Sequence, residues 1–292
     1  MTCNSSARVG HSRYARLSSA GDRSATVLLV QTAPNGSPSA QGTTLPLTGE
    51  RTVPDLAEEN YWYRRHEAAY RWLLPRCAGA VVLDAGCGEG YGADLLSGVA
   101  DLVVAADYDG PSVRHVRTRY PAVRPVRTNL VVLPVGSGRV DVVANCQVIE
   151  HLWDQEAFLA ECRRVLRPGG TLLLTTPNRL TFSPGQDTPL NPFHTRELAA
   201  DELADLVRAA DFDVDFLGGL HHGPRLRALD AAHGGSLIDA QVGVVLGHLP
   251  GEATWPADLL ADVAAVRADD FDIHDRDVDA SLDLVAVAKV RG

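Results

Sequence analysis

No stretch of this chain gathers enough Lys and Arg to track a phosphate backbone. Over 292 residues, 27 basic side chains stand against 37 acidic ones, a formal net charge of −10. Nucleic acid is therefore not an expected partner. Long apolar runs are missing too. The run at residues 25–30 is too short for a signal sequence, and nothing approaches a membrane span. A soluble, cytoplasmic protein with no membrane partner is expected. Paired cysteine spacing is also lacking: Cys3, Cys77, Cys87, Cys146 and Cys162 make no zinc or dithiol pattern. Reduced packing thiols fit a reducing compartment.

What is present suits one large core, since 45% of the residues are hydrophobic and the length is that of a single domain with a sizeable insertion. Residues 1–46 are rich in Ser, Gly, Thr, Pro and Ala without a sustained period, and read as a disordered tail. Residues 47–79 follow as an extended segment and a helix over 58–74, halted by Pro75. That helix carries Tyr61, Trp62, Tyr63, Arg64, Arg65, His66 and Tyr70. It reads as a lid over a ligand or as an amphipathic helix on the sheet edge.

The rest of the chain is arranged around residues 81–92, Val-Val-Leu-Asp-Ala-Gly-Cys-Gly-Glu-Gly-Tyr-Gly. Three apolar residues ending in Asp84 read as a buried strand, and Gly86, Gly88 and Gly90 turn the backbone into a helix near Ala93. Alternate glycines leave main chain free to approach a ligand. The glycine pattern alone is a weak signal. Asp84 sharpens it, because an acid there would repel a pyrophosphate but suits an ammonium. A second apolar strand over 102–106 ends in Asp107, where a carboxylate can take both ribose hydroxyls. Together the two strands point to S-adenosylmethionine.

From Val81 onward strand and helix alternate, which implies a parallel sheet covered on both faces. Strands are expected over 123–126, 140–146, 171–175, 211–217 and 281–289, with helices over 111–119 and 154–166 and one starting at Thr195. The proline-rich loop 179–196 is long enough to be functional. Between the sixth and last strands, residues 221–279 form an insertion with helices near 236–247 and 256–268. Its motif His221-His222-Gly223-Pro224-Arg225-Leu226-Arg227 is the most individual part of the chain.

The run Val-Leu-Asp-Ala-Gly-Cys-Gly-Glu-Gly with the following Ala-Ala-Asp-Tyr-Asp resembles the class I S-adenosylmethionine-dependent methyltransferases over about residues 80–290. The resemblance implies an α/β, Rossmann-like seven-stranded sheet, last strand antiparallel, with helices on both faces and a helical insertion before the last strand. It implies cofactor contacts from Asp84, Gly86, Gly88, Gly90, Asp107, Tyr108, Asn129, Leu130 and Gln147. Asn129 stands where relatives commonly have Asp against the adenine amino group, and its carbonyl can accept the same bond. The lid reading of residues 47–79 also gains weight, because methyltransferases of this type commonly close the cleft with the segment before the first strand.

Glu150-His151 lies at the carboxyl end of the fourth strand, where open α/β sheets bind ligands. These two are the catalytic candidates. Ubiquinone-pathway O-methyltransferases carry a similar Glu-His pair that helps bind a divalent metal with an acid three residues earlier; here that position is Gln147. Glu150, His151 and His194 are the metal candidates, with Mg²⁺ favoured over zinc if oxygen ligands dominate. Tyr63, His66, His194, His221 and His222 are the acceptor-side candidates. Residues 47–77, 147–154, 176–198 and 223–238 resemble the mycobacterial sugar O-methyltransferases of methylmannose polysaccharide biosynthesis, in particular those that methylate the reducing-end 1-hydroxyl of a short methylated mannoside. That resemblance implies a small saccharide acceptor. A quinone or phenol acceptor is the alternative and a non-catalytic adenosyl-binding scaffold the remote one, while oligomeric state stays open, with a homodimer as one option.

Overall fold

The computed structural model describes residues 51–246 and 254–292, together with Leu45. The expected tail over 1–46 therefore lies outside the described residues but for Leu45. The chain enters through α1 (Asn60–Leu73), which buries Tyr61, Trp62, Ala68, Ala69, Tyr70 and Leu73. A short 3-10 turn with Pro75 at its start ends the helix, because proline supplies no N–H to continue it.

Eight strands form one sheet: β1 (Val81–Ala85), β2 (Leu102–Asp107), β3 (Arg124–Arg127), β4 (Val140–Cys146), β5 (Leu166–Pro177), β6 (Phe212–His222), β7 (Phe271–His274) and β8 (Asp283–Val290). Their order is β3-β2-β1-β4-β5-β8-β6-β7. The first five run parallel, and β8 inserts antiparallel between β5 and β6. β1 and β4 are buried apolar runs, as a sheet covered on both faces requires. One face is covered by α4 (Gln155–Val165) and α6 (Ala200–Ala209), through Phe158, Leu159, Cys162, Leu203 and Val207. On the other, α1 packs beside α2 (Tyr91–Ser97) and α3 (Gly110–Arg119), through Tyr70, Leu73, Ala93, Leu96 and Val116.

The expected seven strands are thus eight, and the insertion is smaller than its sequence suggested. β6 runs to His222, so His221 and His222 sit on a strand and not in a loop. Phe271–His274 pairs with the end of β6 as an antiparallel edge strand. Between them lie α7 (Pro224–Ala232), α8 (Leu237–Leu246) and α9 (Ala257–Ala264). Leu226, Leu237, Leu259, Val263 and Phe271 form a third apolar cluster with Tyr61 and Trp62 of α1. The insertion therefore props α1 from behind. The helix expected to start at Thr195 begins at Ala200, which leaves Glu197 free for another task. Cys77, Cys87, Cys146 and Cys162 are unpaired and buried. Among the described residues no helix is long and apolar enough to cross a membrane.

Candidate active site

A cleft of about 780 Å³ opens at the carboxyl ends of β1, β2, β4 and β5, large enough for a nucleoside-sized cofactor and a second small molecule. The glycine turn after β1 forms its floor. Gly86 and Gly90 adopt φ of +93° and +102°, and a Cβ would come within 2.5 Å of Val148 at the first and 2.6 Å of Val116 at the second. Both glycines serve the packing of the turn, and Gly90 does not line the cleft. Only Gly88 of the three lines the cleft with open space where its Cβ would be.

The carboxylate of Asp107 accepts the Gly88 N–H on Oδ2 and the Asp109 N–H on Oδ1, both at 2.8 Å. Burial raises its pKa against those two hydrogen bonds. Asp84 stands behind the lining, fully buried, with the Tyr70 hydroxyl donating to Oδ1 at 3.1 Å and no partner on Oδ2 among the described residues. Burial pushes it up to about 7. An unmet buried carboxylate oxygen is the kind of acceptor a cationic ligand satisfies. Tyr108 is an exposed ring at the rim, and Leu130 and Gln147 line the wall. Asn129 lines it as well, although its Oδ1 accepts from the Val131 N–H at 3.1 Å and so is turned into its own loop. Glycine turn, Asp107, Tyr108 and Leu130 together fit an adenosyl group.

At the other side lies the Glu150 turn, a single 3-10 turn after β4. Glu150 is 1% exposed, with the Thr176 hydroxyl donating to Oε2 at 2.9 Å and Oε1 lying 3.9 Å from His151 Nε2. Burial raises its pKa, while His151 and His194 pull it down. His151 Nδ1 donates to the Phe193 carbonyl at 3.0 Å, so in the neutral ring the lone pair is on Nε2. His194 packs edge-on to it at 4.8 Å, its Nδ1 donating to Glu197 Oε1 at 2.6 Å. The proline-rich loop holds this arrangement, because Thr195 donates its N–H and hydroxyl to the Glu150 carbonyl.

Ligand atoms of Glu150, His151 and His194 lie within 4.8 Å of one another, about twice a usual metal–ligand distance, so the spacing suits one divalent cation once His194 Nε2 gives up the Asn191 amide that donates to it at 3.0 Å. One carboxylate and two imidazoles suit a first-row transition ion better than magnesium, contrary to the sequence expectation.

His66 lines the cleft, its Nδ1 2.9 Å from the Tyr91 hydroxyl, and burial lowers its pKa to about 4. His194 lines it too, whereas Tyr63, His221 and His222 do not reach it. Tyr63 packs edge-on against Tyr91. His222 bridges Tyr61 and Asp230, and His221 stacks on His274 at 4.2 Å at the sheet edge. Among the described residues of 221–279 none lines the cleft. Missed at the sequence level were Glu59, Trp62, Arg65, Trp153 and Asn191, which all line it. Trp153, 93% exposed two residues after His151, was the most visible of these.

A family model described as a methyltransferase domain matches residues 83–174. A protein of Mycolicibacterium smegmatis named probable S-adenosylmethionine-dependent methyltransferase is 60% identical over 257 residues, 87% of this chain and 97% of the relative. One of the same name from Mycobacterium tuberculosis is 57% identical, covering 87% and 93%. A ubiquinone biosynthesis O-methyltransferase of Thiobacillus denitrificans is 30% identical over 53% of this chain and 74% of its own. Among solved structures the cyclase SpnF superposes with a TM-score of 0.53 at 20% identity, covering 78% of this chain and 80% of that one, a likeness of fold alone.

Proposed function

Because the chain belongs to the S-adenosylmethionine-dependent methyltransferases, we propose that it methylates a hydroxyl of a small saccharide, with the reducing-end 1-hydroxyl of a short methylated mannoside as the favoured acceptor. The single observation that carries an O-methyl transfer is the histidine whose Nδ1 is tied to a carbonyl and whose Nε2 faces the cleft beside a buried glutamate. The saccharide rests on the resemblance of residues 47–77, the Glu150 turn, the proline-rich loop and the segment after β6 to the sugar O-methyltransferases. No nucleic acid and no membrane partner enters this reading.

When bound, S-adenosylmethionine supplies an electrophilic methyl group. Asp107, Tyr108 and Leu130 would hold its adenosine, and Asp84 with Gln147 its amino-acid end. His151 Nε2 would take the proton of the acceptor hydroxyl as that oxygen receives the methyl group, the methyl–sulfur bond breaking to leave S-adenosylhomocysteine. Glu150 stabilises the imidazolium that results, and the Phe193 carbonyl keeps the ring in the needed tautomer. A divalent cation on Glu150, His151 and His194 is the second route, since it would acidify a hydroxyl beside it. Nε2 has one lone pair, so as a ligand it could not also be the base.

Labelled methyl transfer to a short mannoside, with and without excess chelator, tests this. Full activity in chelator leaves His151 as base; loss restored by a divalent cation assigns the metal. Wild-type turnover in His151→Ala would overturn both. The ubiquinone-pathway relative favours a second reading, a phenolic acceptor, and catechol as the acceptor in the same assay separates it.

A further inference from the structure

One wall of the cleft belongs to α1 and the residue that precedes it. Trp62 lies three residues after Glu59, and Arg65 and His66 three and four after Trp62, hence on one helical face, and all four line the cleft. Arg65 donates to both carboxylate oxygens of Asp283 at 2.7 and 2.5 Å, and Asp283 is paired in register with Pro177, where β5 ends in the cleft.

Arg65 is therefore neutralised by Asp283 and is not free to take an anionic acceptor. Glu59 is the opposite case. It is 8% exposed, yet among the described residues no hydrogen bond or ion pair reaches its carboxyl. It occupies the N-cap position of α1 but makes no capping hydrogen bond, so helix capping does not explain it. A buried carboxylate without a partner is costly, and burial pushes this one up to about 7. Glu59 lines this cleft as well as a small pocket beside Gln241 and Trp255, and a donor brought by a ligand in the cleft would satisfy its carboxyl. Trp62, one turn on, adds an indole beside it that suits the C–H face of a pyranose.

We propose that Glu59, with Trp62, is the acceptor-specificity determinant: its carboxylate accepts a hydrogen bond from a hydroxyl of the saccharide other than the one that is methylated. This rests on the saccharide reading above and deepens it, because a flat phenol has no second hydroxyl that must be met at a distance from the reacting one.

The test is a kinetic comparison of wild type, Glu59→Gln and Glu59→Ala on a short methylated mannoside and on catechol, with S-adenosylhomocysteine affinity as the check on folding. The expected result is a KM for the mannoside raised about tenfold or more in both variants, the loss of a charge-assisted hydrogen bond, with kcat and S-adenosylhomocysteine affinity held. A mannoside KM that does not move in either variant overturns the inference while leaving the saccharide reading standing. Loss of S-adenosylhomocysteine affinity in both variants overturns it too, because Glu59 would then be structural. A wild type that methylates catechol and not the mannoside sinks the saccharide reading, and the inference with it.

Discussion

Asp84 carries a pH dependence that its surroundings dictate. Its ordinary value is 3.8 and burial takes it to about 7, so between those values the folded state keeps a proton the unfolded chain has lost. The contribution is fully present below the unfolded value and disappears as pH rises through the folded one. His66 acts in the opposite sense, since its lowered pKa leaves it neutral where the unfolded chain is charged. Comparing Asp84→Asn with wild type isolates the aspartate. Without cofactor, the Tm of the variant relative to wild type should climb from about pH 5 to about pH 8; a constant difference would rule the account out. Asp107 is the cofactor counterpart. Because it also holds the Gly88 and Asp109 N–H groups, alanine there would loosen the turn as well as remove the ribose acceptor. Asp107→Asn is the cleaner change and should weaken S-adenosylhomocysteine about tenfold or more by calorimetric titration.

Among the elements, the insertion over 221–279 has the role its sequence concealed. Its two histidines suggested an acceptor platform, yet His222 is spent on Tyr61 and Asp230, and its helices spend their leucines on α1. Histidines read the same in a sequence whether they face a ligand or a neighbouring tyrosine; only the pairing of β6 with β7 decides it. Excising the segment would strip an edge strand and bare Tyr61 and Trp62, so it should unfold part of the protein and is no test of specificity. Leu226→Ala is better suited. A fully buried leucine cut to alanine costs about 2–5 kcal/mol, which for a chain of this size lowers Tm by roughly 5–15 °C. If the insertion positions α1, the acceptor KM should rise while S-adenosylhomocysteine affinity changes little. An unchanged KM in the destabilised variant would reduce the insertion to a purely structural prop.

The topology of the whole molecule was legible because its signals are local: apolar runs ending in Asp84 and Asp107, glycines in sequence, and strand–helix alternation. The adenosyl half of the cleft was legible for the same reason, since adjacent βα turns build it. The wall built by Glu59, Trp62 and Arg65 was not, because that helical face reaches the cleft only through long-range packing such as the Arg65–Asp283 pair, and a glutamate ahead of a helix looks like any cap. At the same scale, the net charge of −10 bears on the acceptor's charge. A polyanionic acceptor would need counterion release and lose affinity steeply with salt. If the acceptor is met by Glu59 as proposed, beside an Arg65 already paired with Asp283, it should be uncharged. Its kcat/KM should therefore stay within about twofold between about 50 and about 200 mM salt, over which screening of surface charge changes considerably. Methyl transfer that falls by an order of magnitude or more across that range would mean that the acceptor is anionic, and that Arg65 gives up Asp283 to bind it.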